Sequence, residues 1–252
     1  MKNCMETTYF IVSRIGKTIQ REAGIDMRRI FSIITMALLC VALIGRPLPA
    51  LSESGGTSYA ICRVEGAVDW EQIPTFAIDH VQWTDDFGIR AGGQLCYDDE
   101  NLYVHLFAVE DEIRAEYTAP LSPVYQDSCL EFFFACDDYG NYFNFEINPN
   151  GCLHIQTGPA RSNRISLVKG NDAEYFDIQA QRTEDGWEVA YRIPLEFLRV
   201  FWPDYAFTGE LRANAYKCGD MTVNRHYLTW HPVQSEKPNF HRPEDFGRMI
   251  FK

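Results

Sequence analysis

The chain has 252 residues, of which 35 are acidic, 23 basic and 14% aromatic, giving a net charge of −12. That balance argues against nucleic acid and anionic membrane surfaces as partners, and permits neutral sugars and divalent cations. The length suits one ordinary domain plus a processed segment, with a core large enough not to need disulfides.

The N-terminus reads as a targeting segment. Arg28 and Arg29 precede an apolar run from Ile30 to Gly45, followed by Arg46-Pro-Leu-Pro-Ala-Leu-Ser52. A basic start, a short apolar stretch and small residues at Ala50 and Ser52 describe a signal peptide cut near Ser52. The run is short for a transmembrane helix, which needs about 20 apolar residues. Met27 is the natural start, and residues 1–26 show no core pattern. The expected division is therefore an extension and signal peptide over 1–52 and one exported domain over 53–252, in the periplasm, on the cell surface or outside the cell. No membrane span is expected in the mature form.

Six cysteines follow the cut: Cys62, Cys96, Cys129, Cys136, Cys152 and Cys218. Export permits disulfides, but no Cys-x-x-Cys or Cys/His spacing suggests zinc. Most read as small buried hydrophobes, with few bridges.

The rest of the chain reads as strands. Leu102 to Val109 alternates after a polar turn at Asp98-Asp99-Glu100-Asn101. Asp127 to Asn148 forms a β-hairpin, two aromatic-rich runs around a turn at Asp137 to Asn141. Folding it about that turn sets Phe132 opposite Phe145 and Phe134 opposite Phe143, on one core face with Ile147. The same register sets Glu131 opposite Glu146 on the other face, with Asn144 and Asn148 nearby. Directly opposed like charges destabilise a sheet, so either an arginine, a metal or a ligand's hydroxyls answer the pair, or the carboxylates splay apart into solvent. Cys152 to Thr157 follows the turn at Asn150-Gly151. Tyr175 to Gln181 alternates, with Phe176, Ile178 and Ala180 on one face, and pairs through Asp185-Gly186 with Trp187 to Ile193. Pro194 starts a short helical turn. Leu211 to Lys217 and Phe246 to Phe251 close the chain. Eight or nine short strands predict an all-β fold, an antiparallel sandwich of jelly-roll type with short helical turns.

No GxSxG, HExxH, P-loop or dinucleotide fingerprint is present. His226, His231 and His241 cluster in the C-terminal third without helical spacing and read as polar loop residues. Glu131 and Glu146 also fit the acid and nucleophile of a glycoside hydrolase, the alternative to a binding role.

An ordered series of motifs runs through the domain: Tyr125-Gln-Asp-Ser-Cys-Leu-Glu131, Tyr142-Phe-Asn-Phe-Glu146, Asn214 to Asp220, His226-Tyr-Leu-Thr-Trp230 and Pro238 to Phe251. It resembles the family 9 carbohydrate-binding modules, closest to a branch of stand-alone exported bacterial proteins. The resemblance covers about Tyr59 to Lys252. It implies an antiparallel sandwich related to the DOMON type, structural calcium, and an aromatic clamp on glycan chain ends. It carries the clamp positions to Tyr125 and to Phe240, where better-known members have tryptophans, and a hydroxyl-binding carboxylate to Glu131. Near Glu146 those members have an arginine, so the charge is reversed.

Sugars stack their C–H faces on rings and pair their hydroxyls with carboxylates, amides and arginines. Tyr125, Trp230 and Phe240 are the candidate rings, with Trp230 more readily read as core beside Leu228. Glu131, Asn144, Glu146, Arg161 and Arg164 are the candidate polar partners. Acidic turns could hold calcium, with Asp137 and Asp138 as candidate ligands. The partners implied are mono- and oligosaccharides or polysaccharide ends, and a glycoside hydrolase that such a module would support.

Overall fold

The computed structural model describes residues 58–135, 137, 140–167 and 172–252. The expected signal peptide, Cys136 and Asp138 lie outside the described residues. Fourteen strands are described: β1 Ser58–Arg63, β2 Phe76–Ile78, β3 His80–Val81, β4 Arg90–Tyr97, β5 Asn101–Val109, β6 Cys129–Ala135, β7 Tyr142–Ile147, β8 Leu153–Ala160, β9 Asn163–Ser166, β10 Gln179–Arg182, β11 Gly186–Pro194, β12 Glu210–Gly219, β13 His226–Thr229 and β14 Gly247–Phe251. Two helical turns join them, α1 Asp172–Tyr175 and α2 Leu195–Arg199.

The strands form a β-sandwich. One layer runs β9-β8-β7-β6-β12-β14, with β13 and β3 beyond the far half of β12; the other runs β10-β11-β5-β4, with β2 on β4. β1 belongs to both. Ser58 to Ile61 lie parallel to β14, and Cys62 and Arg63 parallel to β4.

The hairpin β6–β7 has the register expected from its sequence: Phe132 faces Phe145, Phe134 faces Phe143 and Glu131 faces Glu146. The four phenylalanines are fully buried between the layers. There Phe145 stacks on Tyr191 of the opposite layer, centroids 5.8 Å apart. Each such ring contributes about 1.5–3 kcal/mol by leaving water. Trp187, Val189, Tyr191 and Ile193 bring the alternating face of β11 to the same core.

One charged residue shares that inner face. Lys217 alternates with Ala213 and Ala215, and its Nζ lies 3.1 Å from Glu110 Oε1 and 2.7 Å from His226 Nε2. Trp187 Nε1 and Ser128 Oγ donate to the same carboxylate at 2.7 and 3.1 Å. Burial, then the Lys217 charge, pushes His226 down to about 3, so the neutral ring accepts from the ammonium. His226 is thus a buried strand residue and not a loop residue.

Two sequence expectations are corrected here. Tyr175 to Gln181 is not one strand. Tyr175 ends α1, Asp177 takes φ 50°, and pairing begins at Gln179. The break turns Phe176 inward against Phe145 and Phe197. Arg90–Tyr97, unforeseen as a strand, carries glycines that β propensity disfavours. A Cβ on Gly93 would sit 2.4 Å from the Phe76 ring, so close packing of β2 on β4 requires the glycine.

Candidate functional site

The outer face of the β6–β7 layer is also covered. Residues of alternate parity, Cys129, Phe133, Tyr142, Tyr216 and Cys218, build a second buried cluster. Val124 of one loop and Val233, Phe240 and Phe246 of the C-terminal segment close over it. Beside that cover opens a cleft of about 220 Å³.

Its floor, Glu131, Glu146 and His154, belongs to a row of directly opposed residues crossing four strands. Tyr216 of β12 faces Glu131 of β6, Glu131 faces Glu146 of β7, and Glu146 faces His154 of β8. Both carboxyls are nearly fully buried. Cys218 Sγ donates to Glu131 Oε1 at 3.0 Å. Burial, then the neighbouring thiol and Glu146, holds Glu131 well above the ordinary carboxyl range. Glu146 is raised by burial, but His154, Arg164, the Asn144 amide and Arg161 pull the other way. Asn144 Nδ2 donates to Glu146 Oε1 at 2.9 Å, and Arg164 NH1 donates to Asn144 Oδ1 at 3.0 Å. The opposed acids are therefore answered in two ways, a proton favoured on Glu131 and an amide–arginine relay behind Glu146.

Arg161 rises from the turn between β8 and β9 and Arg164 from the start of β9, and His154 lines the cleft with them. Facing this polar side is an aromatic side formed by Trp83, Tyr125, Tyr227 and Phe240. Tyr125 sits on a 3-10 turn, Val124–Gln126, and is 37% exposed. Phe240 is more committed. It stacks on Tyr216 at 4.1 Å and 12°, and it is 8% exposed. It helps close the second cluster as well as lining the cleft, so this ring serves the core and the cleft together.

Six of the eight residues singled out from sequence as binding candidates line this one cleft: Tyr125, Glu131, Glu146, Arg161, Arg164 and Phe240. Asn144 lies just behind it. Trp230 does not reach it. Its parity with Leu228 sends the ring inward, 5.7 Å from the Phe76 centroid, and a Cβ on Gly247 would meet it at 2.7 Å. Asp127 and Ser128 of the same motif are structural: Asp127 Oδ2 accepts from Glu116 N, Tyr117 N and Asn148 Nδ2.

Sequence reasoning missed Trp83, His154, Cys218, Asp220, Tyr227, Asn239 and His241. Trp83 holds φ 59°, costly for a bulky residue. Its Nε1 donates to Ser235 O at 2.7 Å and its ring meets Tyr227 and Phe240, both at 5.7 Å. A tryptophan kept in that conformation was the one signal available, and it is a backbone signal. His241 stacks on Phe133. Burial and the nearby Arg164 and Arg161 push it down to about 2, so it is neutral.

Of the two candidate calcium ligands at the β6–β7 turn, Asp137 accepts from Asn141 N and Asn141 Nδ2, and from Trp202 Nε1, while Asp138 lies outside the described residues.

Residues 63–251 match the carbohydrate-binding family 9. Among solved structures, a proposed carbohydrate-binding protein from Bacteroides uniformis superposes with a TM-score of 0.68 at 24% identity, covering 77% of this chain and 99% of that one. A family 9 module from Caldicellulosiruptor kristjanssonii, solved with glucose, gives 0.55 at 15% identity, covering 77% and 95%. The same organism's module with cellotriose gives 0.55 at 14%, covering 77% and 93%. No curated protein matches the chain.

Proposed function

This chain belongs to carbohydrate-binding family 9, and from that premise we propose that its cleft binds a mono- or oligosaccharide, or the end of a glycan chain. The carrying observation is the convergence on one cleft of an aromatic side and a polar side across a floor of two opposed carboxyls. Rings supply contact for the sugar's C–H faces, while Glu131, Glu146 and the two arginines supply hydroxyl partners. Tyr125, Trp83 and Phe240 form the platform; Asn144 and Arg164 hold Glu146 in place. Glucose and cellotriose, the ligands of the Caldicellulosiruptor module, are the first compounds to test. The reading extends to an exported protein that supports a glycoside hydrolase in glycan breakdown, and no helix among the described residues is long and apolar enough to cross a membrane. Calorimetry against a sugar panel, repeated with Tyr125→Ala, tests the binding. Loss of the heat in the variant supports it. A panel without a binder, or a variant that binds as well as the parent, overturns the assignment of this cleft.

A second reading is glycoside hydrolysis. Burial raises both carboxyls, but the thiol adds to the rise on Glu131 while His154, Arg164 and Arg161 offset part of it on Glu146, so the proton is held more firmly on Glu131, the asymmetry that an acid and nucleophile pair uses. Turnover of chromogenic glycosides that disappears in Glu146→Gln selects it.

A further inference from the structure

Cys129 and Cys218 face each other across β6 and β12. Glu131 follows Cys129 by two residues, so strand alternation puts it on the same side. The two sulfurs and a Glu131 oxygen all lie within 4.8 Å of one another, and all three residues are buried. Among the described residues no other set of three such side chains converges. Glu131 and Cys218 line the cleft while Cys129 lies behind them. Glu131 has a thiol for its hydrogen-bond partner and another carboxyl opposite it, with Asp220 also nearby.

We propose that Cys129, Cys218 and Glu131 form a binding site for a borderline-soft divalent metal ion of the zinc class. Two sulfurs and one carboxylate oxygen are a ligand set that zinc and cobalt accept and that calcium and magnesium do not. On binding, both thiols, and the carboxyl where it is protonated, give up their protons to solvent while the metal takes the freed lone pairs. Because protons are released, uptake tightens as pH rises. Because two of the ligands line the cleft, the ion is reachable from the site proposed for sugar. Metal uptake is measured without any sugar, so this inference stands apart from the binding reading.

The test is titration of the reduced full chain with Co²⁺ under a non-chelating reductant. One equivalent should produce thiolate-to-cobalt charge-transfer absorption, release protons, and be displaced by Zn²⁺. Cys129→Ser and Cys218→Ser should each remove the band, while Cys62→Ser keeps it. Glu131→Gln, close to isosteric and expected to fold, should weaken Co²⁺ by at least about tenfold. Absence of the band in the reduced parent, a band that survives in Cys218→Ser, or unchanged affinity in a folded Glu131→Gln would each overturn the site. If the two serine variants do not fold, the parent titration and Glu131→Gln decide the question.

Discussion

The two faces of the β6–β7 hairpin are about equally buried and differ in what buries them. The inner face carries Phe132, Phe134, Phe143 and Phe145 and meets the other layer of the sandwich. The outer face carries Glu131, Asn144 and Glu146 and is covered by loops and by the C-terminal segment. A layer of strands can bury a face with contacts alone. A cover made of loops leaves a gap, and polar groups can stay there because solvent, or the ligand proposed above, can reach them. The comparison thus separates residues that hold the fold from residues that hold something else.

The largest expected effect lies on the inner face. Phe134 touches Phe132, Phe143 and Phe145 with centroids 5.3–5.9 Å apart. Phe134→Ala should cost about 3–5 kcal/mol of stability, read by denaturant unfolding, with sugar affinity of the folded fraction unchanged. Lys217→Ala should cost a similar amount, because Glu110 would keep a buried charge without its ammonium. Phe240→Ala should lose about 1–3 kcal/mol in both stability and binding, since the ring serves both faces of the problem. Equal stability in that variant would break the comparison.

Tyr125→Ala should lose about 1–3 kcal/mol of sugar binding with melting nearly unchanged, as befits a half-exposed ring. Glu131→Gln sharpens the comparison through pH, measured with a chelator present. Below 4.5, the ordinary value, the carboxyl is protonated both folded and unfolded. Above it the unfolded chain ionises first, so wild-type stability falls as pH rises toward the raised folded value. The variant lacks that contribution. It should melt higher than wild type at neutral pH, match it near pH 4, and show a shallower slope, Glu146 supplying the remainder. A variant that melts lower at neutral pH would mean that the charged form is the one held. The smallest effect is Arg161→Ala, exposed on its turn: within about 0.5 kcal/mol in stability, with a modest loss of affinity.

The hairpin register, the inner aromatic core and the Glu131–Glu146 opposition were legible because strand alternation has a strict period of two. The outer cover was not legible from periodicity. Tyr125 and Phe240 came only from the family resemblance, Trp83 reaches the cleft through a loop path that no periodicity encodes, and Cys218 reaches it through the register between β6 and β12. Trp230 shows the converse. Its sequence neighbourhood resembles a binding motif, but parity with Leu228 puts it inside.

The shared strand β1 bears on how the protein comes to be folded. Its residues pair with β14 at the opposite end of the chain, Ser58 with Arg248 and Ile61 with Phe251. Such pairing closes nearly the whole domain as one loop, and contacts of that sequence separation form slowly. The strand that joins the layers thus cannot pair fully until β14 has been synthesised, so the bridge between the layers forms late, after the hairpins within each layer.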